Sequence, residues 1–248
     1  MLDKELQTLL KNNRYRLKPH EVVALQKMRE SDTRNILVIG DLHEPFCLEG
    51  YLDFCIEQYE TYNCNQVIFI GDILDNHAFS YHEPDPDGMS AGLELEKTIE
   101  KVADWYKAFP VADVCIGNHD RMASRKAMTG GIPASWLRSY NEVLGTPDWN
   151  WTESVTYDDV LYEHGEGGQA QTKAKNNLMS SVCGHTHTEA YTRWYVGKRF
   201  RVFGMQVGCG VDSTTYAAAY AKNFKRQAIG CAVVLNNGTL PINLLMPL

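Results

Sequence analysis

Three apolar runs rich in β-branched residues each end in a glycine followed by a polar residue able to bind metal: "NILVIGDLHEP", "QVIFIGDILDN" and "VADVCIGNHD". Each reads as a buried strand whose carboxyl end carries a polar group. Open α/β sheets place their ligands just beyond the carboxyl ends of their strands. Three such strands, delivering Asp41, Asp72 and Asn118, form a site-building pattern.

Helical patterns separate the runs. "EGYLDFCIEQYE" sets Leu52, Cys55, Ile56 and Tyr59 on one face. "LELEKTIEKVADWYKAF" sets Leu95, Ile99, Val102, Tyr106 and Phe109 on one face, with charges opposite. The stretch "NHAFSYHEPDPDGMS" reads as a loop placed to wall a cleft. The second half is mostly strand: "SVTYDDVLYEHGEG", "SSVCGHTH", "KRFRVFGMQVGCG" and "QAIGCAVVLNNGTLPINLLM", with a helix over "GQAQTKAKNNLM". Together these predict an α/β fold of two sheets packed face to face with helices outside. Residues 1–30 read as a helical N-terminal extension, and residues 31–248 as a single domain. The small residues of "GCGVDSTTYAAAYAKNF" suit close packing or a loop over the site.

Composition narrows the class. The 7 cysteines are odd in number and lack any CxxC pair, so they read as thiols in a reducing compartment. No run is long enough to span a bilayer, and the polar N-terminus is no signal peptide, so a cytoplasmic protein without a membrane partner is expected. A formal net charge of -7 argues against a protein whose main task is gripping nucleic acid, which needs Lys and Arg on phosphates.

The polar residues repeat in kind. Asp41 and His43, Asp72 and Asp75, Asn118 and His119, His164, and His185 with His187 all lie at or just past predicted strand ends. Carboxylates and imidazoles are the usual oxygen and nitrogen donors for borderline divalent metals. In extended chain residues i and i+2 point the same way, so Asp41 with His43, and His185 with His187, can converge. Each piece alone is common. The ordered set D-x-H, GD-xx-D, GNH-D, HG and GH-x-H is far more specific.

From about Ile36 to His187 this set resembles the calcineurin-like metallophosphoesterases, most of all their compact prokaryotic and phage-type members. The resemblance implies a four-layer α/β/β/α sandwich of two mixed sheets flanked by helices, with a dinuclear metal site at the carboxyl ends of the strands. It implies that Asp41, His43 and His187 hold one ion, that Asn118, His164 and His185 hold the other, and that Asp72 bridges them. His119 would face the scissile phosphate and protonate the leaving oxygen or stabilise the transition state, oriented by Asp75. The cofactors would be two divalent metal ions, manganese first, with Fe, Zn, Co or Ni as substitutes. The activity implied is hydrolysis of a phosphodiester or nucleotide-type phosphoester by a hydroxide bridging the metals.

Around this set, Arg121, His77 and Asn76 are candidate substrate contacts, Arg121 having an ion pair with Asp120 or a neighbour as its alternative. Phe79, Tyr81, Trp149, Trp151 and Trp194 are candidate stacking rings, although such residues are more often core, while Lys173 and Lys175 read as a solvated helix face. A DNA or RNA nuclease of the same superfamily is the alternative activity, and a metal-stabilised binding module the alternative without turnover. A protein phosphatase fits less well, because Asn76 stands where that branch carries an arginine.

Overall fold

Alternation along the first apolar run decides how the layers stack. In β1 (Ile36–Ile39), Leu37 and Ile39 join one apolar cluster while Ile36 and Val38 join another. In β2 (Gln66–Phe69), Val67 and Phe69 join the first and Ile68 the second. Side chains of a strand alternate in this way, so a strand buried on both faces needs a layer on each side. The computed structural model describes residues 33–81, 85–215 and 226–247. The expected helix over residues 1–30 and the distal part of the 208–224 stretch lie outside the described residues.

The first sheet has six strands in the order β11–β10–β1–β2–β3–β4, with β3 (Ala112–Cys115), β4 (Trp149–Thr152), β10 (Gly230–Leu235) and β11 (Leu240–Leu245). β1 to β4 run parallel, β10 is antiparallel to β1, and β11 is antiparallel to β10. The second sheet has five strands in the order β5–β6–β7–β9–β8, with β5 (Ser154–Tyr157), β6 (Val160–Glu163), β7 (Ser180–Cys183), β8 (Tyr191–Val196) and β9 (Arg201–Gln206). Here β6, β7 and β9 are parallel, and β5 and β8 are antiparallel edges. Val160, Tyr162, Val182, Phe203 and Met205 of the second sheet meet Ile36, Val38 and Ile68 of the first. Helices α1 (Tyr51–Thr61) and α2 (Ala91–Ala108) cover the outer face of the first sheet through Tyr51, Cys55, Val102 and Trp105. After β3 come two shorter helices, α3 (Met122–Thr129) and α4 (Tyr140–Leu144). Helix α5 (Ala170–Asn177) covers the second sheet, lying so close to β9 that a Cβ on Gly204 would fall 2.6 Å from the Ala170 carbonyl oxygen. The layers are therefore helix, sheet, sheet, helix, with both sheets mixed.

The structure departs from the sequence reading in local ways. The buried face of α2 holds Glu94, Thr98, Val102 and Trp105, whereas Ile99 is exposed. Polar groups turn that face: Glu94 accepts from the amides of His77 and Ala78, and the Thr98 hydroxyl donates to the carbonyl of Glu44. β4 and β8 are strands the reading did not contain. Trp149 is core, while Trp194 and Tyr81 are exposed. Lys173 is no solvated residue, since it pairs with Glu163 at 3.0 Å. All seven cysteines are free thiols. Among the described residues no helix is long and apolar enough to cross a membrane.

One buried acid ties the loop after β1 to α2. Glu44 accepts from Trp105 Nε1 at 2.8 Å, and burial pushes its carboxyl up to about 7. The folded form thus holds this proton more tightly than the unfolded chain, so stability from this group is greatest below about pH 4.5 and is lost as pH rises through 7. Glu44→Gln keeps an acceptor for Trp105 and removes the ionisation. Its unfolding free energy relative to wild type should rise by about 3 kcal/mol between pH 4.5 and pH 8. Parallel stability curves for the two proteins across that range would contradict the assignment.

Candidate metal centre

The donors sit on turns just past the strands rather than on the strands themselves. β1 ends at Ile39 and β7 at Cys183, and His43, Asp72 and His185 have φ of 52°, 49° and 71°. The expected extended i, i+2 geometry is therefore replaced by left-handed turns, which fold each loop back over its strand end. These conformations are uncommon for residues other than glycine and cluster at functional sites. Glycine is needed where a carboxylate meets backbone: a Cβ on Gly117 would stand 2.0 Å from Asp72 Oδ1, and one on Gly184 2.2 Å from Asp41 Oδ1.

Three groups of donors have their ligand atoms within 4.8 Å of one another: Asp41, His43 and His187; Asp72, His164 and His185; and His43, Asp75 and His119, in which the Asp75 carboxylate is taken up by His43; the first two are the candidate triads. In the second, His164 Nδ1 faces the Ile70 carbonyl at 3.0 Å and donates to it. Its Nε2 then lies 2.9 Å from Asn118 Oδ1, 3.1 Å from Asp72 Oδ2 and 3.2 Å from His185 Nδ1. Four electron-rich atoms converge there. One proton satisfies two of them; a cation satisfies all four. Donors bound at about 2.1 Å around one ion stand about 3 Å apart, which is the spacing found.

In the first triad, His43 Nδ1 lies 2.6 Å from Asp75 Oδ1, and its buried Nε2 has no hydrogen-bond partner. An imidazole whose far nitrogen is fixed by a carboxylate presents its near lone pair outward, as metal-ligating histidines do. Asp41 Oδ2 accepts from the His185 amide at 2.7 Å and lies 3.0 Å from His187 Nε2, while its buried Oδ1 is unpartnered. Buried polar atoms without partners are costly. The donor set thus fits two divalent ions, and Asp72 Oδ2 lies 3.1 Å from His164 Nε2 and 3.6 Å from His43 Nε2.

Electrostatics agree. Burial alone would raise the Asp72 carboxyl, but His164, His119 and His43 together hold it well below the usual carboxylate range. Burial alone would lower the His164 imidazole, but Asp72 and Asp41 push it up to about 10. His185 is lowered by burial and by His164.

The remaining candidates are placed unevenly. His119 borders the cluster, its amide donating to Asp72 Oδ1 at 2.8 Å. Its Nδ1 meets the Asp75 backbone oxygen at 2.5 Å, whereas the Asp75 carboxylate is 3.8 Å away and serves His43. Asp75 therefore orients His119 through its main chain. Asn76 donates to the His119 carbonyl at 2.8 Å, so it braces that loop. His77 is buried, its Nε2 accepting from the Asp85 amide. Arg121 pairs with Glu166 at 2.7 Å and with Glu153, not with Asp120. Asp120 is a residue the sequence reading undervalued: buried, it accepts from the amides of Leu74 and Gly117 and staples two site loops, while burial and Asp72 raise it to about 6. Gln206, also missed, donates to the Gly184 carbonyl. Only its burial marks it, and burial is not legible in a single glutamine.

Metal binding must expel the His164 proton. At pH 8, below its raised value, titrating metal-stripped protein with Mn²⁺ in buffers of different ionisation enthalpy should release about one proton per chain from this group. A calorimetric enthalpy independent of buffer would contradict this arrangement.

The sequence profile of a family described as calcineurin-like phosphoesterase matches residues 34–198. No curated protein sequence matches the chain. Solved structures that resemble this one include an archaeal phosphodiesterase, at 16% identity and TM-score 0.45, covering 86% of this chain and 99% of that one. Another is a metallophosphoesterase from Sphaerobacter thermophilus, at 13% identity and TM-score 0.44, covering 87% and 89%. A third is the nuclease MPE from Pseudomonas putida, at 15% identity and TM-score 0.39, covering 84% and 86%.

Proposed function

The chain belongs to the calcineurin-like phosphoesterase family, and we propose that it hydrolyses a small phosphodiester or nucleotide-type phosphoester using two divalent cations, manganese first. The observation that carries this reading is the pair of donor triads meeting at Asp72. When bound there, divalent cations would supply the positive charge that activates water and offsets the charge of the phosphate oxygens.

The protein's own residues supply position and a proton. Asp41, His43 and His187 are assigned to one ion, Asn118, His164 and His185 to the other, and Asp72 to both. His43 is aimed by the Asp75 carboxylate, and His164 by the Ile70 carbonyl. His119 is assigned as general acid. Its Nδ1–H donates to the Asp75 carbonyl, leaving Nε2 to carry the proton given to the leaving oxygen. Burial opposes the imidazolium, but Asp72 and Asp75 outweigh it and raise the group above its ordinary value, which suits an acid. Asn76 holds the His119 loop in register. Arg121, occupied by two glutamates, acts as a tie between the loops of His119 and His164 rather than as a free phosphate grip. The seven free thiols suit a reducing cytoplasmic setting. A net charge of -7 favours a small ester over a nucleic acid strand.

Metal-stripped protein reloaded with Mn²⁺ should hydrolyse bis(p-nitrophenyl) phosphate. His119→Ala should lower kcat about 10²- to 10⁴-fold while keeping both ions. Asp72→Ala should lose turnover together with metal. Undiminished turnover in both variants would falsify the reading. For a small diester the rate should barely change between about 50 and about 200 mM salt, whereas cleavage of DNA as the main activity would fall steeply over that range.

A further inference from the structure

Two cations in the pocket beside His164 are already neutralised. Arg121 is held by Glu153 and Glu166, and Lys173 by Glu163. Arg125 and Lys126 of α3 differ. Both are exposed, and neither has a carboxylate partner among the described residues. Instead both lie against one ring, with Arg125 Cζ 5.0 Å and Lys126 Nζ 4.4 Å from the centroid of Tyr81. Lys126 Nζ also reaches the Ser80 carbonyl at 3.5 Å. Tyr81 is 54% exposed.

This cluster is tied at both roots to the reacting end of the site. Tyr81 follows the short 3₁₀ turn His77–Phe79, whose preceding residue Asn76 donates to the His119 carbonyl. On the other side, the first amide of α3, that of Met122, donates to the same carbonyl at 3.0 Å. Arg125 and Lys126 lie six and seven residues beyond His119, about 10 Å along a helical path. Two like charges on adjacent residues repel, and the ring's negative face offsets only part of that. An anion accepting from both would be bound by charge-assisted hydrogen bonds. Because both roots of the cluster are pinned to the His119 carbonyl, such an anion would lie on the His119 side of the donor cluster.

We propose that Arg125 and Lys126, seated on Tyr81, form a subsite for a second phosphate of the substrate. The site then prefers phosphoesters that carry a phosphate besides the one hydrolysed. This rests on the phosphoesterase reading and narrows its substrate class.

The test compares adenosine 3′,5′-bisphosphate with adenosine 5′-monophosphate as ligands of the Mn²⁺-loaded protein. Both are measured by calorimetric titration and as inhibitors of bis(p-nitrophenyl) phosphate hydrolysis. Wild type should bind the bisphosphate about tenfold more tightly. In Arg125→Ala/Lys126→Ala the two ligands should bind alike, with an unchanged melting temperature. Equal binding in wild type, or a preference that survives the double substitution, overturns the subsite. A nucleic acid strand offers the same second phosphate, so short oligothymidylates form a further arm. Affinity that stops rising at two phosphates, and falls in the double variant, supports the subsite with a free nucleotide as its source. Affinity that climbs with strand length, and falls in the double variant, supports it with a strand as its source. If wild type fails to hydrolyse the chromogenic ester, the phosphoesterase reading fails while the titrations still decide the subsite.

Discussion

The buried carboxylate of Asp72 is the contact on which the site is assembled. Its side chain accepts the His119 amide, faces His164 and His43, and leaves room for nothing larger than glycine at 117. Its main-chain oxygen accepts from the amides of both Leu42 and His43, locking the loop after β1 to the loop after β2. A carboxylate taken out of water costs several kcal/mol unless positive charge compensates it. Here the compensation comes from imidazoles delivered by both sheets, and the same imidazoles are the donors a divalent ion would use. Folding and metal binding therefore draw on one set of charges.

The two-sheet stack explains why those donors can meet. The parallel strands β1, β2 and β3 point their carboxyl ends toward the same edge as β6 and β7 of the facing sheet. Asp41, Asp72 and Asn118 come from the first sheet, and His164, His185 and His187 from the second. Because the sheets share an apolar interior of Ile36, Val38, Val182 and Met205, the separation of the two donor groups is set by packing rather than by loop flexibility. Asp120 and Arg121 then tie neighbouring loops together around the centre, the first by buried amide contacts and the second by exposed ion pairs.

Much of this was legible in the sequence, and the reasons differ by element. The apolar runs before Gly40, Gly71 and Gly117 show strands because burial on both faces makes them almost wholly apolar, with Asp113 of β3 the buried exception, held by Gln66, Asn150 and Tyr157. The donors are legible because their types and order repeat. β8 was not, since "YTRWYV" is an edge strand with mixed exposure and no clean alternation. The inner face of α2 was misjudged because two polar residues, Glu94 and Thr98, are buried there by hydrogen bonds to backbone on other elements. The division of labour at Asp75, carboxylate to His43 and carbonyl to His119, depends on an angle that spacing cannot report.

The central claim is that two separate cation sites share Asp72, with His185 and His187 serving different ions although one residue apart. Metal content of reconstituted protein, measured for wild type, His185→Ala, His187→Ala and the double variant, tests it directly. The account predicts two ions per chain in wild type, one in each single variant and none in the double. One ion retained by the double variant would mean that both histidines serve the same site, and would contradict the account.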